Sequence, residues 1–265
     1  MSPDFPWKNY LAITFLVGLF VLGLGIFQFF QQKQTLRVVF LNVGEGNAVL
    51  IQNYGQNILI GGGPDKTILE KLDQFIPFYR RKLDLVISLS PRKQSLTGLI
   101  SVVKSYSVDK ILNNCENRTG EIEEYWWQEI KSKDTLCLWN KMIVNLDNGN
   151  YLQILILPKQ NKRREGVVWL KLGSKTFLFS SGICQNDEKW LISNFHQPID
   201  IWQVPRQGIK GAIIPEFLKK FKLRIAIIQS GQSRFKKINW GIIKMLEENG
   251  VDIKRTDLDG DIVLK

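Results

Sequence analysis

"DLVISLSPRKQSLTGLISVVKSY", residues 84–106, runs from an apolar stretch through a short polar turn into an amphipathic stretch. A continuous apolar run bounded by turn residues reads as a strand covered on both faces, and the spacing after the turn is helical. A buried strand feeding a helix through a tight turn is the unit of a layered α/β domain. The carboxyl end of such a strand is where ligands and catalytic groups collect. Here that turn holds Ser90, Pro91, Arg92, Lys93, Gln94 and Ser95, so it offers hydroxyls, an amide and cations but no histidine and no carboxylate.

The alternation continues on both sides. Upstream, "LRVVFLNV" and "NAVLIQNYGQNILIGGG" give strands with a turn at Tyr54–Gln56, and "KTILEKLDQFI" has helical spacing. Downstream, "VDKILNN" reads as a strand and "EIEEYWWQEIKSK" as a helix. Strands then dominate ("TLCLW", "KMIVNL", "YLQILILP", "GVVWLKLG", "KTFLFSSG"), with turns at Asn148–Gly149 and Gly173–Ser174. The last third returns to alternation: "DEKWLISNF" helix, "IDIWQVP" strand, "PEFLKKF" helix, "RIAIIQS" strand, "NWGIIKMLEENG" helix and "DGDIVLK" strand. The pattern predicts two mixed sheets with helices outside, in a single α/β domain over residues 38–265. No internal repeat interrupts it.

Residues 10–30, "YLAITFLVGLFVLGLGIFQFF", carry no charge and have the length of a bilayer-crossing helix. They predict one uncleaved transmembrane helix between an N-terminal flank (1–9) and a linker (31–37), since a signal peptide would have a shorter apolar run and a small-residue cleavage site. Lys8 on one side and Lys33 and Arg37 on the other leave the orientation open.

The chain is strongly basic, with net charge +11, and of its charges only Asp4, Lys8 and Lys33 precede residue 34. This balance points to an anionic partner, either nucleic acid or a lipid surface. The lone histidine, His196, falls in a loop before "IDIWQVP" and reads as a surface residue. One imidazole cannot furnish the ligands of a zinc hydrolase. Cys115, Cys137 and Cys184 are too scattered for a zinc finger. On the outer side of a membrane Cys115 and Cys137 could pair and leave Cys184 free. Ser90 and Lys93 match an S-x-x-K spacing, but the same spacing recurs at Ser101–Lys104 and Ser233–Lys236 and no S-D-N or K-T-G motif accompanies it. Gly44–Gly46 and Gly61–Gly63 lack the spacing and terminal lysine of a P-loop and read as tight turns.

Six motifs in order resemble the metallo-β-lactamase-fold domain of the ComEC-type competence family, which takes up DNA. "LNVGEGNA" (41–48) stands for LDVGQGDA, "ILIGGGP" (58–64) for ILIDGGP and "LSPRKQSLTGL" (89–99) for THPHADHIGGL. "LFSSG" (178–182) stands for LLTGD, "VPRQG" (204–208) for VPHHG and "RTDLDG" (255–260) for RTDEDG. The resemblance implies an αββα sandwich. It also implies that the positions of the family's metal site are Asn42, Asn47, Gly61, Ser90, Arg92, Gln94, Ser95, Gly182, Arg206 and Gln207, none of which carries a family ligand. Asparagine keeps the size of aspartate without its charge. Since the nucleophilic hydroxide and the Lewis acid of that chemistry come from bound ions, the expectation is an inactive relative with no catalytic residue, no metal and no cofactor.

Arg92 and Arg206 fall at those positions, Lys93 beside one of them and Lys237 at a position of the family's HPH segment, and together they form a candidate anion pocket, with the amides of "GGGPD" as further donors. The function expected is a membrane-anchored, noncatalytic DNA-binding or assembly component of DNA uptake, its domain outside the cell, beside a separate multi-span channel protein. The alternative is a structural protein that pairs with an active paralogue or an envelope partner; a hydrolase with substituted chemistry ranks third.

Overall fold

The computed structural model describes residues 7–33, 36–115, 120–158, 164–231 and 238–265. The apolar runs form two seven-stranded sheets, with helices against the outer face of each. The first part of the chain contains α1 (Trp7–Lys33), β1 (Leu36–Phe40), β2 (Val49–Asn53), β3 (Gln56–Ile60), α2 (Thr67–Asp73), β4 (Lys82–Ser88), α3 (Lys93–Ser105), β5 (Ser107–Asn113), α4 (Glu121–Ile130) and β6 (Thr135–Cys137). The second contains β7 (Lys141–Asn145), β8 (Tyr151–Ile156), β9 (Gly166–Leu172), β10 (Lys175–Phe179), α5 (Gln185–Asn194), β11 (Ile201–Gln203), α6 (Pro215–Phe221), β12 (Ile225–Ile228), α7 (Trp240–Glu248), β13 (Asp252–Arg255), α8 (Thr256–Asp259) and β14 (Ile262–Leu264).

Strand order is β14-β1-β2-β3-β4-β5-β6 in one sheet and β13-β12-β11-β10-β9-β8-β7 in the other. Each sheet begins as an antiparallel meander and turns parallel where helices supply the crossovers, at β3/β4 in one and β10/β11 in the other. β14 returns to pair antiparallel with β1, Val39 opposite Val263. Phe40, Ile51, Ile87, Leu170, Phe177 and Phe179 meet between the sheets. Leu72, Leu99 and Trp126 seal one outer face, and Leu191, Phe217 and Leu246 the other. The αββα sandwich is therefore present, and the parallel halves of both sheets aim their carboxyl ends at the same edge.

Two outcomes differ from expectation. β13 was not foreseen, because a four-residue edge strand with only part-buried or exposed positions has no apolar periodicity to read. Residues 10–30 lie within α1, yet among the described residues no helix is long and apolar enough to cross a membrane. The structure therefore lends the expected span no support beyond helicity. Ile13, Phe15, Leu16, Phe20, Leu22 and Ile26 of α1 are exposed.

Candidate functional site: a cationic cleft at the strand ends

Four loops at the common edge enclose a cleft of about 200 Å³. The β1–β2 loop contributes Asn47; the turn into α3 contributes Ser90, Arg92, Gln94 and Ser95; the loop after β10 contributes Ser181 and Gly182; the turn after β11 contributes Arg206, Gln207 and Ile209.

Glycines bring α3 into place. A Cβ at Gly98 would lie 1.7 Å from the Gly62 carbonyl oxygen, so only glycine lets the helix approach the Gly61–Gly63 loop this closely. Asn114 then ties two loops together, its amide donating to the carbonyls of Leu89 and Arg164, each at 2.8 Å. On the opposite wall Arg206 (φ 50°) and Gln207 (φ 59°) are both left-handed, followed by Gly208 (φ 68°). Such geometry costs a non-glycine residue roughly 1–2 kcal/mol and persists where the surroundings enforce it. The Arg206 amide donates to the Ser181 carbonyl at 2.9 Å, fastening this turn to the loop after β10.

Eight of the ten positions named from sequence thus line one cleft, and Asn42 and Gly61 do not. Asn42 is a strut, its side chain donating to the Thr256 carbonyl at 2.9 Å. Gly61, at φ 68°, has no room for a side chain, since a Cβ would meet the Asn47 carbonyl oxygen at 2.6 Å. Lys93 is exposed at the start of α3, Lys237 lies outside the described residues, and His196 is exposed after α5. The glycine-loop amides are not free donors, correcting that expectation: Gly61, Gly62 and Gly63 donate to the carbonyls of Ile87, Ser95 and Asn47. Nor is a Ser90–Lys93 dyad assembled, for Ser90 Oγ is buried with no hydrogen-bond partner of ordinary geometry while Lys93 points into solvent.

The residue that sequence reading missed is Glu165, immediately before β9. It is 5% exposed, and its Oε1 accepts from Arg92 Nε at 2.9 Å while Arg92 Nη2 donates to the Gly182 carbonyl at 3.1 Å. Its Oε2 is buried beside Gly182 and has no hydrogen bond of ordinary geometry among the described residues. Burial raises its pKa, and Arg92 and the nearby Ser90 hydroxyl oppose the shift. A lone acid after a basic run carries no motif; only its place beside an apolar strand could have drawn notice.

The metal centre that the fold implies does not fit these residues. The cleft presents neutral amides and hydroxyls and two guanidinium groups, and the nearest carboxylate, Glu165 behind its wall, is already engaged by Arg92. Divalent ions at catalytic sites require imidazole or free carboxylate ligands, and fixed cations oppose them. Among the described residues no group of three His, Cys, Asp or Glu is placed to hold a metal ion. The cleft is better suited to anions: α3 opens with no acidic residue in its first turn and no side-chain cap, leaving its N-terminal dipole uncompensated beside the arginines.

This architecture defines a metallo-β-lactamase-fold protein. Solved structures of similar shape include the metallo-β-lactamase fold protein YhfI from Bacillus subtilis, with a TM-score of 0.60 at 12% identity over 87% of this chain and all of that one. Igni18, a metallo hydrolase from the archaeon Ignicoccus hospitalis, also gives 0.60 at 12% identity, over 86% of this chain and 99% of its own. Zinc-bound PqqB from Methylobacterium extorquens gives 0.56 at 9% identity, over 87% and 100%. At these identities the likeness establishes the fold alone. No protein-family model matches the sequence. No curated protein matches it either.

Proposed function

We propose that this chain is a membrane-anchored, metal-free and noncatalytic member of the fold whose strand-end cleft binds an anionic polymer, nucleic acid in the first instance, in the manner of a ComEC-related component of DNA uptake. The observation that carries the reading is the cleft itself. It keeps the position at which the fold builds sites but presents Arg92, Arg206 and the N-terminus of α3 among amides and hydroxyls. Arginine grips phosphate through a planar fork of donors without catalysing its transfer. The sequence adds further positive charge: residues 159–163 and 232–237, outside the described residues, are basic without an acid among them.

The α1 segment serves in this reading as the anchor. The Cys115–Cys137 disulfide supports placing the domain on the oxidising side of the membrane, because such bonds persist outside the reducing cytosol. Fluorescence anisotropy with single-stranded and duplex oligonucleotides at two salt concentrations tests the reading. Affinity should fall steeply with salt, as phosphate contacts release counterions; absence of binding at low salt would refute it.

A protein-pairing role has its own supporting feature. Leu136 on β6, Ile143 on β7 and Trp139 in the connection between them are exposed along the edge where both sheets end. Stable co-purification with a protein partner at high salt, without oligonucleotide binding, would favour that role.

A further inference from the structure

The two arginines of the cleft are not equivalent. Arg92 is held by Glu165 Oε1 at 2.9 Å and by the Gly182 carbonyl at 3.1 Å. No hydrogen bond or ion pair of the Arg206 side chain is found among the described residues, although its backbone is fixed in a left-handed turn at the cleft wall. The Glu165 carboxylate is buried behind the Gly182 wall of the cleft: a Cβ at residue 182 would lie 2.2 Å from Glu165 Oε2. Ser90, 3% exposed, lines the same cleft with its hydroxyl buried beside the Glu165 carboxylate.

We infer that Glu165 is a built-in anion behind the cleft wall that occupies the Arg92 guanidinium, so that Arg206, with the first amides of α3, receives an incoming phosphate. This rests on the anion-binding reading and refines it. A carboxylate offers two oxygens to a guanidinium much as a phosphate does, so the two compete for the same donors. The arrangement thereby sets a ceiling on affinity: one of the two guanidinium groups is engaged from within the protein, and a polymer bound through Arg206 alone is released easily. Removing the charge at residue 165 should open the second guanidinium.

The test is titration calorimetry of the whole chain in detergent with inorganic phosphate. Glu165→Gln should bind phosphate about tenfold more tightly than the unaltered protein, the effect of one added charge-assisted hydrogen bond. Adding Arg92→Gln to that variant should abolish the gain, and Arg206→Gln in the unaltered background should lower affinity by a similar factor. Unchanged, weaker or undetectable binding by Glu165→Gln overturns the inference. If instead Glu165→Gln binds phosphate while the unaltered protein fails to bind oligonucleotides, the inference stands and the nucleic-acid reading falls. Thermal unfolding decides the placement of the carboxylate should Glu165→Gln misfold. Gly182→Ala should lower the melting temperature and Glu165→Ala introduced with it should restore much of the loss, whereas a harmless Gly182→Ala would show that the carboxylate is elsewhere.

Discussion

Glu188 carries a cost of folding that a single atom accounts for. The side chain is fully buried in the first turn of α5; its Oε2 accepts the Ile214 amide at 2.8 Å at the entry to α6, and its Oε1 has no hydrogen-bond partner. Burial first, then the adjacent Asp187, pushes its pKa from the ordinary 4.5 up to about 8, against the opposing pull of the Ile214 amide. Below pH 4.5 the group is protonated in both folded and unfolded chains and its bonding contributes in full. As pH rises the unfolded chain ionises first, so the contribution is lost progressively until about pH 8. Glu188→Gln keeps the acceptor and removes the charge, and should raise stability at pH 8 by roughly 2–4 kcal/mol with little effect at pH 4.5; urea melts at the two pH values would show it, and equal changes at both would refute it. Gly98 is the opposite case, a residue that cannot grow. Gly98→Ala must force α3 away from the Gly62 carbonyl and should destabilise by roughly 2–4 kcal/mol, the cost of overpacking with displaced backbone, measured by thermal or urea unfolding. Neither role is legible from sequence: "LTGL" and "DEKWL" show helical spacing, but which glycine touches backbone and which acid is buried depends on a partner strand or helix far along the chain.

At the scale of elements, "DLVISLS" and "YLQILILP" announced themselves because continuous apolar runs need cover on both faces. The turn after β11 did not, since two left-handed non-glycine residues run against backbone preference and only tertiary contacts impose them. The disulfide was an open option in the sequence and becomes geometry through β5 and β6: Asn113 is in register with Cys137, which brings Cys115 beside it. Closing a loop over a separation of 22 residues encloses α4 and fastens the edge strand β6. Replacing both cysteines by serine should cost about 2–4 kcal/mol, the usual range for a native disulfide. Denatured, unreduced protein should react with one equivalent of a thiol reagent, at Cys184, and with three after reduction; three before reduction would contradict the pairing.

At the scale of the whole molecule, the arrangement sets a cleft lined by two arginines at the strand ends of a metallo-β-lactamase fold. The strand–helix alternation foretold two mixed sheets with helices outside, and the motif resemblance, not the alternation, gathered most of the cleft residues, because loops at strand ends converge wherever the sheets are built alike. Neither revealed Glu165, which is buried on a different loop and pairs with one of the arginines proposed as binding groups. The central claim is that the cleft binds anions without a metal ion, and chelator-resistant oligonucleotide binding tests it most directly. With the whole chain in detergent, EDTA-treated protein should bind a single-stranded oligonucleotide as tightly as untreated protein, Arg206→Gln should bind about tenfold more weakly at low salt, and elemental analysis should find no stoichiometric zinc or manganese. Binding that EDTA abolishes and zinc or manganese restores, with about two ions per chain that are lost on changing Gln94 or Ser90, would contradict the account.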